Sequence, residues 1–438
     1  MSRKKILLLA YQVSPFRGSE YSVAWNYLQE MSQEHEITVI YGKSGDRIGE
    51  FDPGAEESMR KSLSHVHFIP IKSGNLVKLM NGLNRRSLIR SASLLAYRIW
   101  HYRVYRYALE LIRQQSFDLI HFLGPIGYRE PGYLWKLPLP YLRGPVGGLN
   151  NASPVLIKNL SWTGRLKQLL RSGTNYWQER FSSRIRKAFI RADAVLAATR
   201  ENQSLLQKYF QVTAEYLPEN GIIEKIPKLL PNEKFSFKTI NLIWIGSLDA
   251  RKSLNILLEV LPEIKKQIHF HLDIAGDGPL KQALVAYAEY HRINADITWY
   301  GQCPRQKIFD LFQSSHVHII TSCMEGNPTT IWEAMAAGVP TISLDHCGMH
   351  DTICEQCGIR IPIRNHEQII TDFASAICYL GHHPEEVKRL SEGALRCAQK
   401  YTWDKRRTFF NRQYDIAIAR YCTKHPGYQS QATLNERG

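Results

Sequence analysis

The chain alternates short apolar runs of strand length with longer segments whose apolar residues recur at helical spacing. In the first half, "KILLLAY", "EITVIYG", "VHFIPI", "DLIHFLG", "PYLRGPV" and "AVLAAT" read as strands. "SEYSVAWNYLQEM", "LLAYRIWHYRVYRYALELIR" and "NYWQERFSSRIRKAFIRA" read as helices between them. The second half repeats the alternation with "INLIWIG", "HFHLDIAG", "ITWYG", "VHIITS" and "PTISLD" as strands. Alternation of this kind predicts an α/β fold with doubly wound parallel sheets. Between the halves, "YLPENGIIEKIPKLLPNEKFSF" (216–237) is rich in Pro, Asn and charge and reads as the linker. A last helical run, "WDKRRTFFNRQYDIAIARYC" (403–422), follows the second set of strands.

At 438 residues the chain is too long for one core, which predicts two domains, 1–215 and 216–402. Residues 403–424 form a closing helix, and 425–438 read as a disordered tail. Two sheets of this kind predict two Rossmann-like domains facing each other across a cleft. Ligands then bind at the carboxyl ends of the strands.

No apolar run reaches the ~18 residues of a membrane span. The amino-terminal "MSRKKILLLAYQVSPF" imitates a signal peptide, but its apolar run is only "ILLLA" and lacks a small-residue cleavage site. It reads as a first strand of a cytoplasmic protein, whose eight cysteines are then expected to be reduced thiols. "CEQC" (354–357) has metal-ligand spacing, with His346, Cys347 and His350 nearby. No second paired motif completes it, and the sequence assigns no metal.

Charge changes the picture most. The net +16 sits in the first half, where residues 1–210 hold 31 basic and 15 acidic residues, against 25 and 25 in the remainder. Between Glu57 and Glu110 no acidic residue occurs, while bases including Lys72, Lys78, Arg85, Arg86, Arg90, Arg98, Arg103 and Arg106 run among Leu, Tyr and Trp. "LIKNLSWTGRLKQLLRSGTNYWQERF" (156–181) repeats the mix. Basic amphipathic stretches with interfacial aromatics suit an anionic bilayer. Nucleic acid is the rival polyanion, but none of its binding motifs occurs and none is expected as partner. Packing of the apolar side on the sheet is the plainer use of part of each stretch.

Candidate chemistry follows the strands. After "VHIITS" comes "CMEGNPTTIWEAMAAG" (323–338), with Glu325 in the turn and Glu333 about one turn inside the next helix. A helix start offers unpaired N–H groups to phosphate. Gly326 allows close backbone approach, and Pro328 suits a first turn. Glu333 could accept two ribose hydroxyls, while Glu325 could reach the group that the phosphates carry. By spacing alone they read as readily as a surface helix residue and a helix-start charge. "GSLDARKSLNILLEV" (246–260) sets Arg251 and Lys252 in the turn after a strand, where adjacent cations can clamp a pyrophosphate or be merely solvated. "IAGDGP" (274–279) reads as wall, with Asp277 capping the next helix. In the first half, Gly18 brings backbone near a ligand and Ser19 caps the following helix. "RGPVGGLN" (143–150) places a Gly pair after the fifth strand. His121, near the end of "DLIHFLG", reads as packing or capping more readily than as a catalyst.

Together, "EGNPTTIWEAMAAGVPTI", "GSLDARKSLNILLEV", "IAGDGPLKQAL" and "ITWYGQCPRQKIFDLF" resemble, in order and spacing, the retaining family 4 glycosyltransferases of the GT-B fold. "SPFRGSEYSVAWN" and "YLRGPVGGLN" resemble a bacterial subset making surface polysaccharides, and "YTWDKRRTFF" resembles the closing helix that crosses back onto the first domain. The resemblance spans nearly the whole chain. It implies transfer of a sugar, with retention and without an essential metal, from a nucleotide-diphosphate sugar to a hydroxyl of a lipid-linked or oligosaccharide acceptor. Exopolysaccharide, O-antigen or glycolipid synthesis is the implied setting. It implies no cofactor beyond the donor as substrate. Arg251 and Lys252 then hold the pyrophosphate, Glu333 the ribose and Glu325 the donor sugar. Gly18, Gly246, Gly326, Asn327, Pro328, Thr329 and Thr330 line the donor. Many relatives carry a further His just after the strand ending in His121; here Phe122 and Leu123 stand there, so His121 is retained only as a weak catalytic candidate. Two other readings stay open, a nucleotide-sugar epimerase of the same fold and a non-catalytic membrane-associated binding protein. Docking on the inner face of the cell membrane completes the expectation.

Overall fold

The computed structural model describes residues 3–18, 20–45, 49–74, 92–158, 160, 162–223 and 226–428. Ser19 and the basic stretch 75–91 lie outside the described residues, as does the end of the tail from 429. The chain divides into two units: residues 1–149, 175–219 and 403–438 form the first, and residues 150–174 and 220–402 the second. The sequence-based boundary at 215/216 missed that 150–174 belongs with the second unit. The physical reason is burial: Ala152, Leu156 and Leu160 pack in the same apolar cluster as Trp244, Leu257 and Met335.

The first unit holds a parallel sheet of seven strands: β1 (Lys5–Ala10), β2 (Glu36–Tyr41), β3 (Val66–Pro70), β4 (Leu119–Gly124), β5 (Tyr141–Val146), β6 (Ala194–Ala197) and β7 (Glu215–Tyr216). Their spatial order is β3-β2-β1-β4-β5-β6-β7. Both faces are covered, which is why the strands are continuous apolar runs rather than alternating ones. The helix Trp403–Lys424 lays Trp403, Phe410, Tyr414 and Ala417 on one face. The helix Ala92–Gln114 lays Trp100, Val104 and Ala108 on the other. The single helix expected over 175–192 is two, broken where Ser182 takes extended backbone and caps Ile185 N–H. Residues 425–428, expected to belong to a disordered tail, are ordered: Tyr428 packs edge-on against Tyr421 and beside the apolar cluster under the sheet.

The second unit holds six parallel strands: β8 (Thr239–Ile245), β9 (His269–Ala275), β10 (Ile297–Gly301), β11 (Val317–Ile320), β12 (Thr341–Leu344) and β13 (Gly358–Ile361), in the order β10-β9-β8-β11-β12-β13. The helices Leu254–Ile264, His366–His382 and Pro384–Ala398 bury one face. Leu311, Phe312, Ala334 and Val339 cover Ile243 and Ala275 on the other. Strand order reverses between β8 and β11, whose pairing sets Val317 beside Leu242. In such sheets the loops leaving the two strands at the reversal splay apart and leave a crevice at their carboxyl ends.

Candidate functional site

The loops leaving β8 and β11 meet at this reversal. Asp249 Oδ1 accepts from the backbone N–H groups of Arg251 (2.9 Å) and Lys252 (3.0 Å), a local turn that fixes where both cations begin. Ser253 follows with left-handed backbone (φ 50°), turning the chain into the helix Leu254–Ile264. The loop is then stitched to its neighbour. Arg251 carbonyl accepts from Cys323 N–H at 2.8 Å. Lys252 carbonyl accepts from Thr321 Oγ1 at 2.9 Å, and the Trp244 indole donates to that same oxygen at 3.1 Å.

These bonds set the side chains. Glu325 Oε1 accepts from both Lys252 Nζ, at 2.6 Å, and Arg251 Nη1. Lys252 and Glu325 are largely buried, whereas Arg251 keeps 38% of its side chain exposed. The sequence reading gave Glu325 one task and the cations another; the structure makes them one ion cluster of net charge +1, drawn from positions 74 residues apart. Oε1 of this carboxylate is thus committed to two cations. The nearby Cys323 thiol is pushed up to about 11 by burial, so no thiolate forms there at neutral pH.

Downstream, Pro328 stands at the N-cap of the helix Thr329–Ala336 and makes no side-chain cap bond there. Glu333 lies four residues after Thr329 on the same face, half-buried. The loop is backed closely from behind: a Cβ at Gly348 would stand 1.6 Å from the Gly326 carbonyl and 2.9 Å from Asn327 Oδ1. His346 Nε2 donates to Ser322 carbonyl at 2.9 Å, with burial lowering the imidazole's pKa, so that it stays neutral in this role. Gly246 follows β8 directly, and its carbonyl would lie 1.8 Å from a Cβ at Gly276, whose φ of +145° already favours glycine.

Among the sequence candidates, Gly246, Arg251, Lys252, Glu325, Gly326, Asn327, Pro328, Thr329, Thr330 and Glu333 thus lie in or next to the two loops at the reversal. Gly18 lies in the first unit on an exposed loop after β1. Asp277 does not cap a helix: its carboxylate accepts from Gly278 N–H (2.7 Å), and the next helix starts at Lys281 after Leu280 without a side-chain cap. His121 is fully buried in β4. Its Nε2 donates to Gly144 carbonyl at 2.8 Å, and its Nδ1 accepts from Tyr414 Oη at 2.9 Å. Burial lowers its pKa to about 4, and both ring nitrogens are engaged, so it is a neutral packing residue. Asp249, Thr321, Trp244 and Gly348 escaped sequence reasoning. Only the Asp249–Arg251 turn spacing offered a local signal; the others act through contacts distant in sequence.

Residues 227–395, which hold this whole cluster, match the family model described as glycosyl transferases group 1. This segment is thus similar to the group 1 glycosyl transferases. Over 112 residues the chain is 30% identical to the lipopolysaccharide 1,6-galactosyltransferase of Escherichia coli (strain K12), covering 25% of this chain and 31% of that protein. The chain spans less than half the length of the curated relatives it matches. Solved structures share the fold along nearly the full length. A lipopolysaccharide outer core galactosyltransferase, WaaB, superposes with TM-score 0.63 at 18% identity, over 93% of this chain and 98% of its own. Anabaena HepE, in complex with UDP and glucose, gives 0.57 at 14% identity, over 95% and 100%. The two-sheet architecture is therefore GT-B.

Proposed function

We propose that the chain is a retaining glycosyltransferase that moves a sugar from a nucleotide-diphosphate sugar to an acceptor hydroxyl in surface-polysaccharide or lipopolysaccharide synthesis. The observation that carries this reading is the meeting of Arg251 and Lys252 with Glu325 at the carboxyl ends of β8 and β11, inside the segment that matches the group 1 glycosyl transferase model. A guanidinium has five donors in a planar fork, so Arg251 can keep Glu325 and still grip a phosphate. Lys252 adds a second positive charge beneath it. The N–H groups opening the helix Thr329–Ala336 supply further donors to the diphosphate. Glu333, on the same helical face, accepts the ribose hydroxyls, and Glu325 Oε2 faces the donor sugar.

Chemistry follows from what Glu325 does not do. Since both cations hold its carboxylate, a double displacement through it is disfavoured. The acceptor hydroxyl then attacks the anomeric carbon from the side the diphosphate leaves. The anomeric carbon–phosphate oxygen bond breaks, the new glycosidic bond forms on the same face, and the departing phosphate oxygen takes the acceptor's proton. Arg251 and Lys252 stabilise the charge that grows on that oxygen. The proposed reaction calls on no metal ion, so turnover should not rise when divalent cations are added.

The acceptor is proposed to be lipid-linked and presented at an anionic bilayer on the cytoplasmic side. Supporting this is the helix Trp162–Phe181, which exposes Trp162, Leu166, Leu169, Leu170, Trp177 and Phe181 together with Arg165, Lys167 and Arg180. No described helix is long and apolar enough to cross a membrane. Co-sedimentation with vesicles tests it: binding should require anionic lipid, weaken with salt and fall when Leu169 and Leu170 become Glu. Equal binding to neutral vesicles would refute it.

The deciding experiment for the donor is a thermal-shift panel of nucleotide diphosphates and nucleotide-sugars, followed by Glu333→Ala. The variant should bind the responding donor about 30-fold more weakly, the loss of a charged hydrogen-bond pair worth about 2 kcal/mol. Conversion of the donor sugar with no acceptor present would instead mark an epimerase, and unchanged affinity in Glu333→Ala would remove the ribose assignment.

A further inference from the structure

Three thiols converge in the second unit, away from the ion cluster at the strand reversal. Cys354 and Cys357 sit on the turn before β13, and Cys397 is near the end of the helix Pro384–Ala398. Cys354 Sγ lies 3.6 Å from Cys357 Sγ and 3.6 Å from Cys397 Sγ, and all three sulfurs lie within 4.8 Å of one another. The "CEQC" pair was visible in the sequence; its third member was not, because it comes from 40 residues downstream on another element.

The spacing discriminates between uses of thiols. A disulfide needs its sulfurs about 2.05 Å apart. Tetrahedral zinc with Zn–S bonds of about 2.3 Å places its sulfurs about 3.8 Å apart. The two 3.6 Å separations lie at the edge length of that tetrahedron. The scaffold around them is close-fitting. A Cβ at Gly393 would stand 1.7 Å from the Gln356 carbonyl, so the helix backbone rests directly on the "CEQC" turn. Gly393 and Cys397, four residues apart, share that helix face. Cys357 N–H also donates to Cys354 carbonyl at 2.9 Å, and Cys354 N–H reaches Cys357 Sγ at 3.3 Å, a turn that points both thiols the same way. Two of the three are buried, and Cys354 is only half-buried, which leaves one side open to solvent.

We propose that Cys354, Cys357 and Cys397 form a three-thiolate site for zinc, with water as the fourth ligand on the open side at Cys354. The three thiols release their protons to solvent as the cation binds, giving a centre of formal charge −1 next to Arg396 and Lys400, whose charges act on Cys397. The site is structural. It ties the turn that follows the helix Cys347–Thr352 to the helix Pro384–Ala398, and the former helix is the one whose Gly348 backs the Gly326 carbonyl. The inference stands whether or not the chain transfers sugars.

The full chain is purified with a non-thiol reductant, supplied with zinc, freed of loosely held metal and assayed for metal content. Cobalt substitution then reads the ligands by thiolate-to-cobalt charge-transfer absorption. One zinc per chain is expected in the wild type and in Cys422→Ser, whose thiol lies in the first unit. Cys397→Ser should bind about tenfold or more weakly and lose part of the charge-transfer band, and a chelator should lower the wild-type melting temperature. The proposal is overturned if the reduced wild type retains no zinc, if Cys397→Ser binds as tightly as wild type, or if the cobalt form lacks thiolate absorption. Should Cys397→Ser fail to fold, the wild-type cobalt spectrum alone decides.

Discussion

Lys252 and Arg251 differ in what surrounds them, and their variants should differ accordingly. Lys252 is largely buried against Glu325, so Lys252→Met leaves that carboxylate with only the partly exposed guanidinium. Turnover should drop by at least about 100-fold, because the leaving-group charge it faces is greatest in the transition state. Arg251→Lys keeps the charge but loses the fork, and should retain most donor binding while losing turnover. Steady-state kinetics separate these outcomes; a pure rise in KM for either variant would place the pair outside the chemical step. Gly348→Ala probes the same site without touching a charged group. Its new methyl must displace the Gly326 carbonyl or the Asn327 amide. Nucleotide affinity should fall about tenfold or more while the far-ultraviolet spectrum stays native, and an unchanged affinity would show that the backing of this loop is compliant. At this scale the sequence was informative where chemistry is local. Arg251, Lys252, Glu325 and Glu333 stood out because they follow apolar runs directly. Gly348, Thr321 and Trp244 did not, since their roles exist only once β8, β11 and the segment after β12 lie side by side.

Elements were legible to the extent that burial imposed a pattern. β1, β4, β8 and β9 are buried on both faces, and such strands must be nearly continuous apolar runs. β7, two residues long, and β13, whose "GIRI" carries an arginine, present no such run and were missed. The segment 150–174 shows a further limit: amphipathic spacing declares that a helix has an apolar side, not which core receives it. The helix Trp403–Lys424 receives its place from polar as well as apolar contacts. Tyr414 hydroxyl meets Tyr27 hydroxyl and His121, Asn411 bridges His35 and Glu34, and Arg406 donates to the Pro218 carbonyl at 2.8 Å. Tyr414→Phe leaves the Tyr27 hydroxyl and His121 Nδ1 buried with one partner fewer. It should cost about 1–3 kcal/mol in urea unfolding with no change in the m-value. A loss of less than a few tenths would mean that the Tyr27 hydroxyl and His121 Nδ1, already 3.3 Å apart, re-pair with each other.

Over the whole molecule, buried histidines set the response to acid. Burial lowers His101 to about 3 and His121 to about 4 in the first unit, and His316 to about 4 and His318 to about 3 in the second. Each is neutral when folded and titrates near 6.5 when unfolded. Between these values the unfolded chain binds more protons, so stability is intact above about pH 6.5 and is lost as pH falls toward 4. The slope is up to about 1.4 kcal/mol per pH unit for each histidine. Both units carry two, so calorimetry from pH 7.5 to pH 5 should show every transition moving down together. A melting temperature flat across that range would mean that the unfolded state also shields these rings.

The first unit ends with a helix that the chain supplies only after the entire second unit. During synthesis, Tyr414 and Phe410 leave the ribosome when residues 220–402 are already free to fold, while the face of the first sheet they cover has waited uncovered since its strands emerged. Domains elsewhere commonly mature in the order they are made; here the second unit can finish before the first. A nascent chain arrested with residue 402 just outside the exit tunnel should already resist protease over 220–402. Residues 1–149 and 175–219 should stay cleavable and bind chaperones until the final helix is released.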